Sequence, residues 1–121
     1  MSTDLQMLAS QVKRELDTYE IPAPHPEAVG SPLPREWFEE GLSAMRSALV
    51  EPYWLEVGLG DSPDQSRSGV TVSMAIVADD REGYLLAFDP GSEEFALVYS
   101  RDGRCTTINV HGDAVGCFLS R

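Results

Sequence analysis

The chain has 121 residues, and 20 acidic side chains against nine basic ones leave it a net charge of −11. The acidity is not a tail, because residues 1–52 carry an excess of five negative charges and residues 53–121 an excess of six. Nucleic-acid binding needs cations that neutralise phosphates, so this charge argues against a nucleic-acid partner and favours a basic protein.

The first helix is predicted over residues 3–19, with Thr3 or Asp4 as its cap. Apolar side chains recur there at a spacing of three and four residues: Leu5, Leu8, Val12, Leu16 and Tyr19. Residues 20–33 form a proline-rich connector, which is too short to separate domains. We therefore expect one domain, residues 1–121.

A second amphipathic helix is predicted over residues 34–50, beginning at Pro34 and ended by Pro52. Its apolar side is formed by Trp37, Phe38, Leu42, Met45 and Leu49. From Tyr53 the apolar period changes from 3.6 to 2, which indicates strands.

Residues 53–110 are predicted to form an antiparallel sheet of four to five strands. The segments of alternating or continuous apolar residues are 53–59, 70–78, 84–89, 95–100 and 105–110. The Pro-Gly and Asp-Gly pairs at 90–91 and 102–103 are typical of hairpin turns. Short connections favour a meander, and the two preceding helices would cover one of its faces, giving an α+β fold.

The strands at 84–89 and 95–100 are apolar on both faces. Either the chain covers both faces itself, or part of the second face contacts a partner, in a homodimer or a heteromer.

The tail "HGDAVGCFLSR" contains His111, Asp113 and Cys117, the residue types of a Cys–His–Asp catalytic set. If Asp113 caps a helix, His111 and Cys117 point in different directions; if the tail is a strand, they lie roughly 20 Å apart. We therefore expect no catalytic residues there. The tail is predicted to be a short helix over residues 113–119 that closes the core.

Other chemical motifs are also missing from the sequence. The acids Asp79, Asp80, Glu82 and Asp89 do not have the spacing of a calcium loop, and the two histidines, His25 and His111, supply a zinc site poorly. Phosphate-binding glycine loops and nucleophile elbows are absent as well. No metal and no cofactor are predicted, and catalysis is disfavoured.

Two segments resemble the SUKH superfamily, a group of small bacterial proteins that includes many toxin-immunity proteins. "LPREWFEEGL" (33–42) is similar to that family's Leu-Pro-x-x-aromatic helix start, and "REGYLLAFDPGSEEFALVY" (81–99) to its glycine-aromatic-strand-Asp hairpin. The resemblance covers about half of the chain. It implies neutralisation of a toxin in the cytoplasm by surface complementarity, and no catalysis.

These observations favour a non-enzymatic acidic interaction module, an immunity-type inhibitor of a basic toxin, although acidity can also serve solubility alone. The residues predicted to bind the partner are Trp54, Asp79, Asp80, Glu82, Glu93 and Glu94. The alternatives are a dimeric secretion-type chaperone for an unfolded client, and a small-ligand domain or enzyme with a pocket between helix 34–49 and the sheet.

The compartment predicted from the sequence is the cytoplasm, with no membrane partner. No apolar run approaches the roughly 20 residues that span a bilayer. The N-terminus lacks the basic start and apolar stretch of a secretory signal. The two cysteines form no recognisable disulfide framework, which is typical of reduced thiols.

Overall fold

The computed structural model of the chain describes residues 4–21, 34–59, 71–101 and 103–121. Its helices are α1 (Leu5–Thr18), α2 (Arg35–Ala48) and α3 (Ala114–Leu119). Its strands are β1 (Leu49–Gly58), β2 (Thr71–Asp79), β3 (Tyr84–Asp89), β4 (Glu94–Arg101) and β5 (Arg104–Gly112). The α+β class and the short C-terminal helix are as the sequence predicts.

Helix α1 begins at an Asp4 cap, whose Oδ1 accepts hydrogen bonds from the backbone amides of Gln6 (2.9 Å) and Met7 (3.3 Å). These bonds satisfy two of the amide donors that a helix start leaves without partners. Leu8, Val12 and Leu16 are buried, so the predicted stripe is the buried face of the helix.

The junction between α2 and β1 differs from the prediction. The helix ends at Ala48 rather than at residue 50, and the strand begins at Leu49 rather than at Tyr53. Leu49 already has an extended backbone (φ −59°, ψ 135°). Pro52 does not end the helix but lies inside β1, where the pairing with β2 shifts register between Leu49 and Tyr53. A proline is tolerated there because irregular pairing does not need its missing N–H.

The five strands form an antiparallel meander in which each strand pairs with the next. The sheet then closes into a barrel through one parallel pairing between Gly58 of β1 and Thr106 of β5. The meander was expected from the short connections, whereas the closure was not.

The closed barrel explains why β3 and β4 are apolar on both faces. Their inward side chains pack with those of β1 and β2 in an inner core, whose buried members are Val57, Met74, Ile76, Leu85, Ala87 and Val98. In the described part of the chain, the second face of these strands is therefore the inside of the barrel. It is covered by the chain itself.

A second core lies on the outside of the barrel, where side chains of all three helices pack with residues of β2, β3 and β4. Leu86 is fully buried here, and the rings of Phe88 and Phe95 meet at 5.2 Å between centroids. Met45 of α2 and Phe118 of α3 are among the largest fully buried side chains in this layer.

Helix α3 follows the last strand directly, as the sequence predicts. Gly112 has a φ of +142°, a backbone conformation that favours glycine, and ends β5. Asp113 then caps the helix by accepting from the amide of Gly116 at 2.8 Å. Val115, Cys117 and Phe118 are buried, so the tail completes the outer core.

Several predicted features lie outside the described residues. They are most of the proline-rich connector (22–33, with His25), the loop at 60–70 including the first residue of the predicted second strand, the Thr3 cap and Asp102 of the Asp-Gly turn. Within the described ranges, no helix is long and apolar enough to cross a membrane.

Candidate functional site

The structure places the five predicted acids at two ends of strand β3. Asp79, Asp80 and Glu82 lie at the turn between β2 and β3, whereas Glu93 and Glu94 lie at the turn between β3 and β4. Strand β3 has six residues, which separates the two turns by about 17–20 Å. The five acids therefore form two groups rather than one patch.

The β2–β3 turn is held by hydrogen bonds from backbone amides to its own carboxylates. Asp79 Oδ1 accepts from the amide of Arg81 at 2.8 Å, and Asp80 Oδ1 accepts from the amides of Glu82 (2.8 Å) and Tyr84 (3.0 Å). Arg81 has a left-handed φ of +60°, which is uncommon for a residue other than glycine, and the hydrogen bond from its amide to Asp79 holds it there. Asp79 and Asp80 thus fix the conformation of the turn and also contribute negative charge to it.

Asp80 also pairs with an arginine that follows α3. Arg121 Nη1 lies 3.0 Å from Asp80 Oδ2, and the Asp80 side chain is only 5% exposed. The Arg121 guanidinium lies over the ring of Phe118, 4.3 Å from its centroid. Arg121 therefore connects the acidic turn to α3 by an ion pair and a cation–π contact.

Two open hollows flank the Arg121 side chain. One, of about 230 Å³, lies between the C-terminal half of α2 and the β2–β3 turn, and Asp79, Asp80 and Glu82 line it. The other, of about 310 Å³, lies between α2 and α3 and is lined in part by Trp37 and Glu40. We call the two together the α2 groove, since Ala44 and Arg121 line both.

The exposed aromatic side chain in the lining of the α2 groove is that of Trp37. Trp54 lies on β1 opposite Ala75 and is 43% exposed, but it lines neither hollow of the α2 groove. Trp37 is 38% exposed and packs edge-on against Phe38. Sequence reasoning had assigned Trp37 to the apolar side of α2. The buried residues of α2 are Leu42, Met45 and Ala48, whereas Trp37 and Phe38, in its first turn, lie outside the outer core.

The β3–β4 turn has a different character. Asp89 shapes it, accepting from the Gly91 amide at 2.9 Å and from the Ser92 hydroxyl at 3.2 Å. Glu93 and Glu94 are both exposed, and Glu93 has a left-handed φ of +59°. This turn supplies two solvated charges and lines neither hollow of the α2 groove.

The tail does not form the Cys–His–Asp arrangement. The Cys117 thiol points at backbone carbonyls, 3.5 Å from Phe95 O and 4.0 Å from Val110 O. Burial, with the nearby charges of Asp113 and Glu15, raises the pKa of Cys117 to about 11. His111 lies exposed on β5, opposite Ala96. Cys117 is therefore a core residue held in its unreactive thiol form.

Tyr53 of β1 lies close enough to Asp79 and Cys105 for their charges to act on its hydroxyl group. Burial raises the pKa of the Tyr53 hydroxyl, and the charges of Asp79 and Cys105 add to the effect. Cys105 is half-buried, with its sulfur 3.6 Å from the Ser100 hydroxyl oxygen. Among the residues that the structure describes, no three histidine, cysteine or acidic side chains converge on a point where a metal ion could bind.

A further hollow follows α1 rather than α2. It has a volume of about 670 Å³ and lies between α1 and the first residues of β1. Lys13 and Glu51 are the charged residues in its lining. One alternative drawn from the sequence was a ligand pocket between helix 34–49 and the sheet. In the described ranges α2 buries Leu42 and Met45 in the outer core, and the hollow of about 230 Å³ lies between its C-terminal half and the β2–β3 turn.

Comparisons of the chain with protein-family models, with curated proteins and with solved structures return no match. The resemblance to the SUKH superfamily therefore stays a prediction. The partner-binding roles of the six predicted residues stay predictions as well.

Proposed function

We propose that the chain is a non-enzymatic interaction module that binds a basic protein, as an immunity-type inhibitor binds a toxin. The observation that carries the proposal is the net charge of −11, to which the carboxylates of Asp79, Asp80 and Glu82 at the β2–β3 turn contribute. A field of this sign attracts a basic partner over several ångströms and orients it before contact.

The rigidity of the turn supports binding to a folded protein. Asp79 and Asp80 are already fixed by hydrogen bonds to the Arg81, Glu82 and Tyr84 amides. Groups that are ordered before binding lose little conformational entropy when the complex forms. The exposed indole of Trp37, on the other side of Arg121, adds an aromatic contact of the kind that dominates many interfaces.

A toxin that acts on nucleic acid is the class of partner that this charge fits best. Its active site must be basic in order to bind phosphates. Carboxylates at fixed positions can occupy the same basic residues and exclude the substrate. The resemblance to the SUKH superfamily supports the same class of function and a cytoplasmic location.

The test begins with affinity capture from a lysate of the native host, using the immobilised protein at low salt. We expect a protein with a basic isoelectric point to be retained and to elute as salt is raised, because screening weakens such contacts. The captured protein is then assayed for nuclease or other toxic activity with and without the chain. Dose-dependent suppression of that activity supports the proposal.

Two outcomes would contradict it. One is capture of only neutral or acidic proteins, with no salt dependence. The other is a captured basic protein whose activity is unchanged when the complex is saturated.

The dimeric chaperone is less well supported. Its sequence basis was the second apolar face of the central strands, and that face lies inside the barrel. Among the described residues, the large apolar side chains that remain exposed on the strands are those of Tyr53, Trp54 and Ile108. A stable dimer on a sizing column, together with binding of unfolded clients, would favour the chaperone over a monomeric inhibitor.

A further inference from the structure

Resting on the proposed function, we infer that Asp80 and Phe118 form an arginine-binding niche, which Arg121 fills in the free protein and an arginine of the partner fills in the complex. The group that the partner presents to the α2 groove is then a guanidinium rather than any positively charged group.

The contacts of Arg121 define what the niche accepts. The guanidinium meets a carboxylate oxygen, Asp80 Oδ2, at 3.0 Å and an aromatic face, that of Phe118, at 4.3 Å. A planar, delocalised cation can make both contacts at once, pairing at its edge and stacking with its face. An ammonium group is compact and strongly hydrated, so it gains less from the ring.

Asp80 is built to hold a cation at one oxygen. Its Oδ1 accepts two backbone amides, from Glu82 and Tyr84, which fixes the carboxylate and leaves Oδ2 to face Arg121. Because the side chain is 5% exposed, water cannot solvate the charge fully. Leaving this buried carboxylate without a cation is costly, so Arg121 can be displaced only by a group that makes the same ion pair.

The surroundings of Arg121 leave room for an exchange. The side chain is 23% exposed and separates the two hollows of the α2 groove, about 230 and 310 Å³ in volume. Glu82 on one side and Glu40 on the other line these hollows, and they would attract the incoming cation. Because Arg121 competes for the niche, the apparent affinity for an external guanidinium is the intrinsic affinity multiplied by the fraction of molecules in which the niche is open.

The experiment compares two peptides of equal charge, blocked hexa-arginine and blocked hexa-lysine, by NMR titration at moderate salt. The proteins are the wild type, Arg121→Gln, and Arg121→Gln combined with Asp80→Asn. Asparagine keeps an Oδ1 acceptor for the amides of Glu82 and Tyr84. Those two amides report directly on the niche, and the overall spectrum reports on folding.

Removing Arg121 makes the protein more acidic, so both peptides should bind more tightly to Arg121→Gln. We expect the gain for hexa-arginine to exceed that for hexa-lysine by at least about threefold, because only the guanidinium replaces the lost contacts. Adding Asp80→Asn should abolish the difference, and Glu93→Gln in its place should not.

Equal gains for the two peptides, or a difference that survives Asp80→Asn, would overturn the niche while leaving the proposed function in place. If neither peptide binds any variant, even when the titration is repeated at low salt, the proposed function is overturned as well. Shifts confined to residues away from Glu82 and Tyr84 would also overturn the niche.

Discussion

Glu15 of α1 accepts a hydrogen bond from the backbone amide of Val115, at 2.6 Å from its Oε2, across 100 positions of the chain. Its Oε1 accepts from the neighbouring amide of Ala114 at 3.2 Å. With Asp113 bound to the amide of Gly116, carboxylates from two parts of the chain satisfy the first turn of α3. The position of α3, and with it the wall of the α2 groove, therefore depends on α1.

Replacing Glu15 by alanine should lower the free energy of unfolding by about 1–3 kcal/mol, because two half-buried amides lose a charged acceptor. Denaturant titration measures the change. Asp17→Ala is the matched control on the same helix, since the contact of Asp17 among the described residues is an exposed 3.4 Å ion pair with Arg46. The control should lose less than about 1 kcal/mol. An equal loss in the two variants would contradict the structural role of Glu15.

The effect of Gly116→Ala on the free energy of unfolding should depend on whether Asp113 is present to cap α3. A Cβ at Gly116 would collide with the Asp113 carboxylate, so in the wild-type background the loss of about 1 kcal/mol of cap energy should offset the helix propensity that alanine gains. In an Asp113→Ala background the cap is already gone, and the alanine should stabilise the helix by up to about 1 kcal/mol. Thermal and chemical unfolding of the four proteins measures the cycle. Additive effects would show that the contact is absent.

The packing of the tail can be tested at Phe118, whose side chain is 2% exposed. Phe118→Ala should destabilise the protein by about 3–5 kcal/mol, and deletion of residues 114–121 should leave the chain unfolded. Trp37→Ala removes a larger ring that is 38% exposed, and it should cost much less. Circular dichroism during denaturation separates these outcomes. A folded deletion variant would contradict the assignment of the tail to the core.

The cysteines should differ in reactivity. Cys117 is buried and holds its proton, whereas Cys105 is half-buried, so a thiol reagent near neutral pH should modify Cys105 first. Cys105→Ala should then show no fast labelling until denaturant is added. Fast labelling of Cys117 in the folded protein would contradict its assignment as an unreactive core thiol and would support a catalytic role for the tail.

The raised pKa of the Cys117 thiol should make the stability of the protein depend on pH. The pKa of Cys117 is about 11 in the folded chain, against an ordinary value of 9.0 for a thiol. Above pH 9 the unfolded state loses this proton while the folded state keeps it, so the free energy of unfolding falls as pH rises. The loss should be about 0.5–1 kcal/mol between about pH 8 and about pH 9.5. Cys117→Ala should remove that part of the slope, and an unchanged slope would contradict it.

Local patterns in the sequence were sufficient for most elements of the fold. The spacing of Leu8, Val12 and Leu16 predicts α1, and the alternation of Met74 and Ile76 predicts the inward face of β2. The α2–β1 junction could not be predicted, because a proline normally ends a helix and here it occupies an irregular stretch of strand instead. The barrel depends on one pairing, Gly58 with Thr106, which leaves no trace in either strand's own pattern.

The candidate site was predicted in part. The acidic character of the β2–β3 turn follows from Asp79, Asp80 and Glu82 alone. Its separation from Glu93 and Glu94 follows from strand length and could have been derived. The meeting of Asp80 with Arg121 could not, because it joins residues 41 positions apart through the docking of α3.

The most direct test of the interaction surface is the association rate of the captured basic partner with two variants of equal charge. Asp79→Asn with Glu82→Gln removes two charges from the α2 groove, and Glu93→Gln with Glu94→Gln removes two from the opposite turn. We expect the first pair to slow association by about three- to tenfold at low salt and the second by less than about twofold. Equal slowing by the two pairs, or a larger effect of the second, would contradict the assignment of the β2–β3 turn as the binding surface.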